Sequence, residues 1–499
     1  MEPKLGGLRD RIEEFLQDRA GLARGYASGA SNSLPLPRLF HTYADLTRLE
    51  TFQEVREALE GQPTGSEPHR RLLRLCGFLA ELAVEARSAE ADAALAHWEV
   101  TSQPSPEESG LVLADAVRRI SQEPHRGRRA LLARAVTRAV ESQERQYARR
   151  VEAVHQVASR LELKDPLAVY QQFTRTDLLK LEQDAQAFLS LTEDGYRDLL
   201  GYALRRTEPE LRFTQAERHD LERAVAAPWA FSHTGIAELA HASRRWIEEW
   251  GIAGGAGKLE VNGDDLPGKP VRSTVVATRV PDRISGYARL KVGIPDALTL
   301  LRLQGAGLSL ALRDRHLPLE DRRLEGGLTQ ALFAGLFGRM PTEPRWLERY
   351  LKLPRSGARE LARLFAFAEV ATVREGCARL SYELQLLRRG AESELRDVYE
   401  QLFRNALRVG IPRGEYLFEL SPHLAVAARL QGRAVAGALL PILRERFDED
   451  HWRNPNAAGF LQEAAARAGA AEAFATLAPT ALQGSLAGSA KELLAVMGA

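Results

Sequence analysis

Apolar residues recur every three or four positions, between charges, along most of this 499-residue chain. The segment Arg128 to Leu161 (RRALLARAVTRAVESQERQYARRVEAVHQVASRL) shows the pattern most plainly. A period near 3.6 places the apolar side chains on one stripe of a helix and the charges on its solvated face. The same spacing predicts helix over Leu8 to Tyr26, His69 to Ala96, Thr176 to Leu189, Gln215 to Ala227, Gly235 to Trp250 and Ala358 to Arg389. Breakers fall between these runs, at Gly61-Gln62-Pro63-Thr64-Gly65, at Pro104-Ser105-Pro106 and over Gly251 to Gly257. Ser66 followed by Pro68 reads as a helix start, with serine as the N-cap and proline in the first turn. One region departs from the helical period. Val271 to Val280 and Gly286 to Val292 are rich in β-branched and aromatic residues, and Pro281-Asp282 lies between them. These are expected to be two strands, a hairpin or part of a small sheet. The organisation expected is an N-terminal helical segment (1–103), a helical upper lobe (104–260) and a lobe with the β element (261–499).

Composition narrows the function. Apolar residues make up 44%, enough for a large core. Lys and Arg number 68 against 67 Asp and Glu, a net charge of +1. That balance gives no global reason to expect nucleic acid or an anionic membrane as partner. Cys76 and Cys377, the two cysteines, cannot form a disulfide framework, which favours a reducing compartment. The charged first 25 residues show no secretory signal pattern, and no run of 18 uncharged apolar residues occurs, so a cytoplasmic chain with no membrane contact is expected.

Several common chemistries have no support. The eleven histidines include no H-E-x-x-H, and His233 and His241 stand two turns apart. No C-x-x-C occurs, which argues against structural zinc. The run GIAGGAGKLE fails as a phosphate loop, because Ile252 holds a glycine position and Leu259 replaces the magnesium-binding Ser or Thr.

The stretch from Pro267 to Tyr350 resembles the thimet oligopeptidase and oligoendopeptidase family of zinc metallopeptidases. GKPVRSTVVATRVPDRISGYARLKVGIPDALTLLRLQGAGLSLAL is similar to that family's strand, turn and zinc helix. LPLEDRRLEGGLTQALFAGLF and PRWLERYL resemble the segments that follow, and LRERFDEDHWRNPNAAGFL (Leu443 to Leu461) its L-R-E-x-F-G-x-x-W-W-R-N-P close. With LELKDPLAVYQQFTRTDLLKL and ERHDLERA upstream, the collinear likeness spans roughly residues 100 to 480. It implies a mainly α, clam-like fold with a deep central channel and a small β element near residues 271–293.

The likeness stops at the chemistry. In the family the zinc helix reads L-F-H-E-x-G-H. Set against it, Gln304 and Leu308 take the two histidine positions and Gly305 the general base. Gln330 takes the third ligand, and Gly307 keeps the intervening glycine. Leucine offers no lone pair, glycine accepts no proton and a neutral amide balances no dication. Two family tyrosines that stabilise the oxyanion are replaced by Ala425 and Arg429. Loss of zinc and of catalysis is therefore expected. His423, Ala425 and Arg429 are the candidate channel residues for a peptide or protein ligand, with an active peptidase relative as one such partner. Two alternatives stay open: a hydrolase with a rebuilt site using His316, His423 and Glu320, and a purely structural helical scaffold with a closed channel.

Overall fold

The computed structural model describes all residues except 1, 105–110, 175, 231–234, 292, 419, 468–473, 475 and 499. Ser105-Pro106, His233 and Val292 therefore lie outside the described residues. The principal helices are α1 (Glu2–Ala27), α2 (Glu67–Thr101), α3 (Arg126–Glu141), α4 (Glu144–Arg160), α5 (Leu178–Leu191), α6 (Arg218–Ala226) and α7 (Ile236–Trp250). After the sheet come α8 (Ile294–Ala311), α9 (Leu328–Arg339), α10 (Arg355–Arg389), α11 (Ala425–Phe447) and α12 (Leu486–Met497). Shorter helical turns connect them, and the fold is mainly α, as the periodicity requires.

Local chemistry sets the helix starts. Ser66 caps α2 by accepting from the His69 amide, with Pro68 in the first turn. Asp177 caps α5 through Lys180 N, and Glu217 with Asp220 forms a capping box on α6. Gly251 ends α7 at φ 95°, a left-handed value that favours glycine. One expected run is two helices. The Arg128–Leu161 pattern is interrupted at Ser142-Gln143, between the end of α3 and the start of α4. Neither Gly nor Pro marks that break.

The β element is a three-stranded sheet in the order β1 (Leu259–Asn262), β3 (Arg283–Tyr287), β2 (Thr274–Arg279). β2 and β3 form the expected antiparallel hairpin around Pro281-Asp282, with Thr274 opposite Tyr287. β3 begins three residues earlier than the expected second strand. β1 was not anticipated; it pairs parallel to β3, with Leu259 opposite Ile284. β2 is left as an edge strand, and α1 packs on its face through Ala20, Ala27 and Val276.

Two large apolar clusters hold the molecule. The first runs from Ile12 and Phe15 through Leu75, Phe188 and Tyr196 to Phe367 and Met497, joining the first hundred residues to α10 and α12. The second centres on Trp246, Trp250, Phe337 and Trp346. The Trp246 and Trp250 rings stack at 5.2 Å, and Trp346 meets Trp246 edge-on at 5.6 Å. Both indoles of α7 find acceptors in the His451-Trp452 turn: Trp246 Nε1 donates to Trp452 O at 2.7 Å, and Trp250 Nε1 to His451 O at 3.0 Å. α8 sits in this second cluster, covered by α7, α9 and the sheet. Arg118 fixes its N-terminus by two bonds to Asp296 in the first turn, at 2.8 and 2.5 Å. α11 is long and apolar enough to cross a membrane by length and composition; here it is largely buried and packs on α9 and α12.

Candidate functional site

A cavity of about 1130 Å³ opens between the two clusters, walled by α1, α2, the β2 edge, α8, α9, α10 and α11. Which face of α8 meets it decides which residues can act there. Thr299, Arg302, Leu303 and Ala306 line the cavity, a spacing that marks one face of a helix.

The structure turns Gln304, Gly305 and Leu308 away from that face. Gln304 is buried towards α7, where its Nε2 donates to Ser243 Oγ at 2.9 Å. A Cβ on Gly305 would lie 2.3 Å from the Phe333 carbonyl, so glycine there is what lets α8 and α9 approach. Leu308 is fully buried in the second cluster. Gly307 sits under β1, where a Cβ would lie 2.4 Å from Leu259 Cδ1. Gln330, His423, Ala425 and Arg429 do line the cavity. His316 and Glu320 do not: His316 is exposed, and Glu320 is buried against Arg9 at 2.7 Å.

The residues that sequence reasoning missed are the ion cluster around Glu369. This carboxylate on α10 is buried and accepts from Arg433 Nε at 2.8 Å and from Arg302 Nη2. Burial pushes its pKa up; Arg302, Arg433 and Arg339 outweigh burial and hold it at about 2. A signal existed, because Arg302 is the one charged residue between Asp296 and Arg313 in an otherwise apolar run. A lone charge in such a helix needs a partner.

A second cluster lies where α2 meets the start of α11. His423 Nε2 lies 2.6 Å from Glu85 Oε1, and Arg19 Nη2 donates to the same oxygen at 2.8 Å. Burial raises the Glu85 pKa, but Arg19 and His423 bring it down to about 2. Burial disfavours the imidazolium of His423, yet Glu85 and Glu81 outweigh it and raise the pKa. His423 and Leu424 both adopt left-handed backbone angles, at φ 51° and 50°. Non-glycine residues pay for such angles, so surrounding contacts must hold them.

Arg429 differs from the other cavity arginines. It is exposed to the cavity space yet ringed by protein, and it has no carboxylate or carbonyl acceptor among the described residues. Burial, then repulsion from Arg379 and Arg433, lowers its pKa to about 10.

Zinc does not fit the face that α8 turns to the cavity. Arg302, Leu303 and Ala306 supply no donor, and Gln330 alone is a weak one. Among the described residues, no group of three or more His, Cys, Asp or Glu side chains is arranged to hold a metal ion.

No family model matches the sequence, and no curated protein is detectably similar to it. Solved structures are similar in fold. One is PZ peptidase A with an inhibitor, at a TM-score of 0.57 and 11% identity, covering 90% of this chain and 96% of that one. Another is a protein assigned as an oligoendopeptidase F from Bacillus anthracis str. Ames, at a TM-score of 0.59 and 11% identity, covering 94% and 84%. Over nearly its whole length, this chain has the helical fold of these peptidases.

Proposed function

We propose that this chain is a peptidase-fold protein without peptidase chemistry, which holds a peptide or protein segment in its cavity. The observation that carries this is the face α8 turns to the cavity. Zinc hydrolysis of this kind needs two histidines four residues apart on that face, with a base next to the first. Two cavity-facing pairs have that spacing, Thr299/Leu303 and Arg302/Ala306, and only the second has a cavity-facing residue, Leu303, where the base would be. This register lies two residues before the one expected from sequence. It also keeps a glycine at the fourth position, Gly305, which the α8–α9 contact requires. A guanidinium tied to Glu369 cannot bind zinc, and Leu303 cannot activate water.

Binding is supported by what remains. The volume is of the order that ligand cavities have. Residues 273–275, leading into and along the edge strand β2, line it, and an edge strand with no strand partner on its outer side among the described residues offers a mode of pairing with an extended peptide. Leu16, Phe78, Phe173 and Leu430 give it apolar wall. A closed scaffold would not retain this space.

The test is elemental analysis of the purified protein together with an assay on fluorogenic peptides in added zinc. Less than about a tenth of an equivalent of zinc and no turnover are expected. Hydrolysis that a chelator abolishes refutes the proposal. Two gain-of-metal variants test the register. R302H/L303E/A306H with Q330E should acquire zinc, whereas Q304H/G305E/L308H with Q330E should not. The reverse result would restore the register expected from sequence.

A further inference from the structure

The chain is nearly neutral as a whole, at +1, but its cavity is not. Eight arginines and no lysine line it, against Glu81, Glu325 and Glu375. Three of these arginines are each paired with an acid outside that set. Arg19 pairs with Glu85, Arg74 with Asp321 and Arg323 with Glu13. The wall formed by α8, α10 and α11 is different. There Arg302 and Arg433 share the single carboxylate of Glu369. Arg379 has Glu375 at 2.9 Å, but Arg218 draws on the same oxygen at 3.1 Å. Arg429 has no acceptor among the described residues. On this wall Arg302, Arg433, Arg379 and Arg429 face Glu369, Glu375 and Glu383, and Arg218 also draws on Glu375. Glu383, close to Arg379 and Arg429, is buried, which raises its pKa; Arg379, two bonds from Ser421, at 2.8 and 2.5 Å, and Arg429 oppose that rise. Arg272, close enough to repel Arg429, adds a further positive charge.

Positive charges packed this way, one of them without a hydrogen-bonded counter-ion, leave an unbalanced field directed into a concave space. Such a space concentrates anions and strengthens each charge-assisted bond made inside it. The apolar walls and the strand edge argue for an extended chain that carries both acidic and apolar side chains. A compact phosphate would use the charge but leave those walls bare.

Resting on the peptide-binding reading above, we infer that the cavity selects acidic peptides, with a ligand carboxylate taken by Arg429 beside Arg379 on the α10–α11 wall. Arg429 completes its ion pair only when the ligand is present. Arg302 and Arg433 stay committed to Glu369 and contribute through their field.

The test uses fluorescence anisotropy with a fluorescein-labelled nonapeptide of alternating Glu and Leu, and its counterpart with Gln for every Glu. The Glu peptide should bind at least about tenfold more tightly at low salt, the scale of one charge-assisted pair. The ratio should shrink towards one in about 0.5 M NaCl, where screening is strong. R429Q, a change at a side chain open to the cavity, should lose most of the preference, and R429K should keep part of it. Equal affinities for the two peptides, or a preference unchanged in R429Q, would overturn the charge selectivity while leaving peptide binding in place. Displacement of the probe by pyrophosphate at lower concentration than by unlabelled Glu peptide would also overturn it, and would assign the wall to phosphates. Binding of neither peptide would overturn both this inference and the reading on which it rests.

Discussion

Replacing Glu369 by Gln should expose how much this fold depends on a charge buried beside its cavity. Glu369 is about 2% exposed and holds Arg302 and Arg433 from two different helices. Arg302, Arg433 and Arg339 hold its pKa at about 2, well below the ordinary value of 4.5, and a tenfold change in proton affinity corresponds to about 1.4 kcal/mol. The carboxylate therefore contributes on the order of 3 kcal/mol at neutral pH, similar to the loss seen when one partner of a buried pair is removed. Because the folded pKa is depressed, this stability is fully present above pH 4.5 and is lost as the pH falls from there towards 2. With unfolding entropy near 2.1 cal/mol/K per residue, 499 residues give about 1 kcal/mol/K, so E369Q should melt about 3 °C lower at pH 7. Differential scanning calorimetry at pH 7 and near pH 3 would show the deficit shrinking in acid. A companion variant, R302M/E369L/R433M, should recover most of the loss, because removing a whole buried ion cluster is far milder than orphaning part of it. A deficit that is absent at pH 7, or that does not change with pH, would refute the assignment of Glu369 as the structural counter-ion.

Two further outcomes follow from the geometry. Gly305→Ala should destabilise by about 1–3 kcal/mol, since its methyl would meet the Phe333 backbone and force α8 from α9. Gly254→Ala, with nothing within 4 Å, should leave the melting temperature within about 1 °C, and a similar loss at both sites would contradict the packing argument. The raised pKa of His423 means that its pairing with Glu85 is fully present below the ordinary histidine value near 6.5 and is lost as the pH rises through the higher folded value. Wild type should lose melting temperature relative to His423→Gln as the pH rises from about 6 to 9. Parallel pH profiles would show that His423 contributes nothing by its charge.

Much of the fold was legible because its elements announce themselves locally. Ser66 with Pro68 started α2 where expected, and Pro281-Asp282 marked the hairpin. The α3–α4 break was not legible, since Ser142-Gln143 carries no Gly or Pro and the apolar period runs on through it. β1 escaped because four residues are too few for a pattern and their partner, β3, comes after β2 in sequence. The site was the harder case. An α8 buried on nearly every side shows no polar face, so periodicity cannot say which side meets the cavity. Gly305 and Gly307 satisfied the glycine position of the motif equally well, although only Gly305 faces neighbouring backbone, that of Phe333, while Gly307 meets the end of the Leu259 side chain. The charge of Arg302 carried the missing information, but its partner Glu369 lies 67 residues away.

The bonds from α7 to the His451-Trp452 turn bear on how such a chain is made. Trp246 finds the Trp452 carbonyl 206 residues later, and the α12 amide of Leu486 finds Asp184 at a separation of 302. At synthesis rates of about 5–20 residues per second, the α7 indoles wait about 10–40 s for their acceptors. Helices form in microseconds, but neither apolar cluster can close until late segments have left the ribosome. During that interval the nascent chain exposes Trp246, Trp250 and the apolar faces of α5 and α8. A molecule built of fast local elements is thus committed to slow, non-local completion, and holdase chaperones should associate with the nascent chain until the α12 segment emerges.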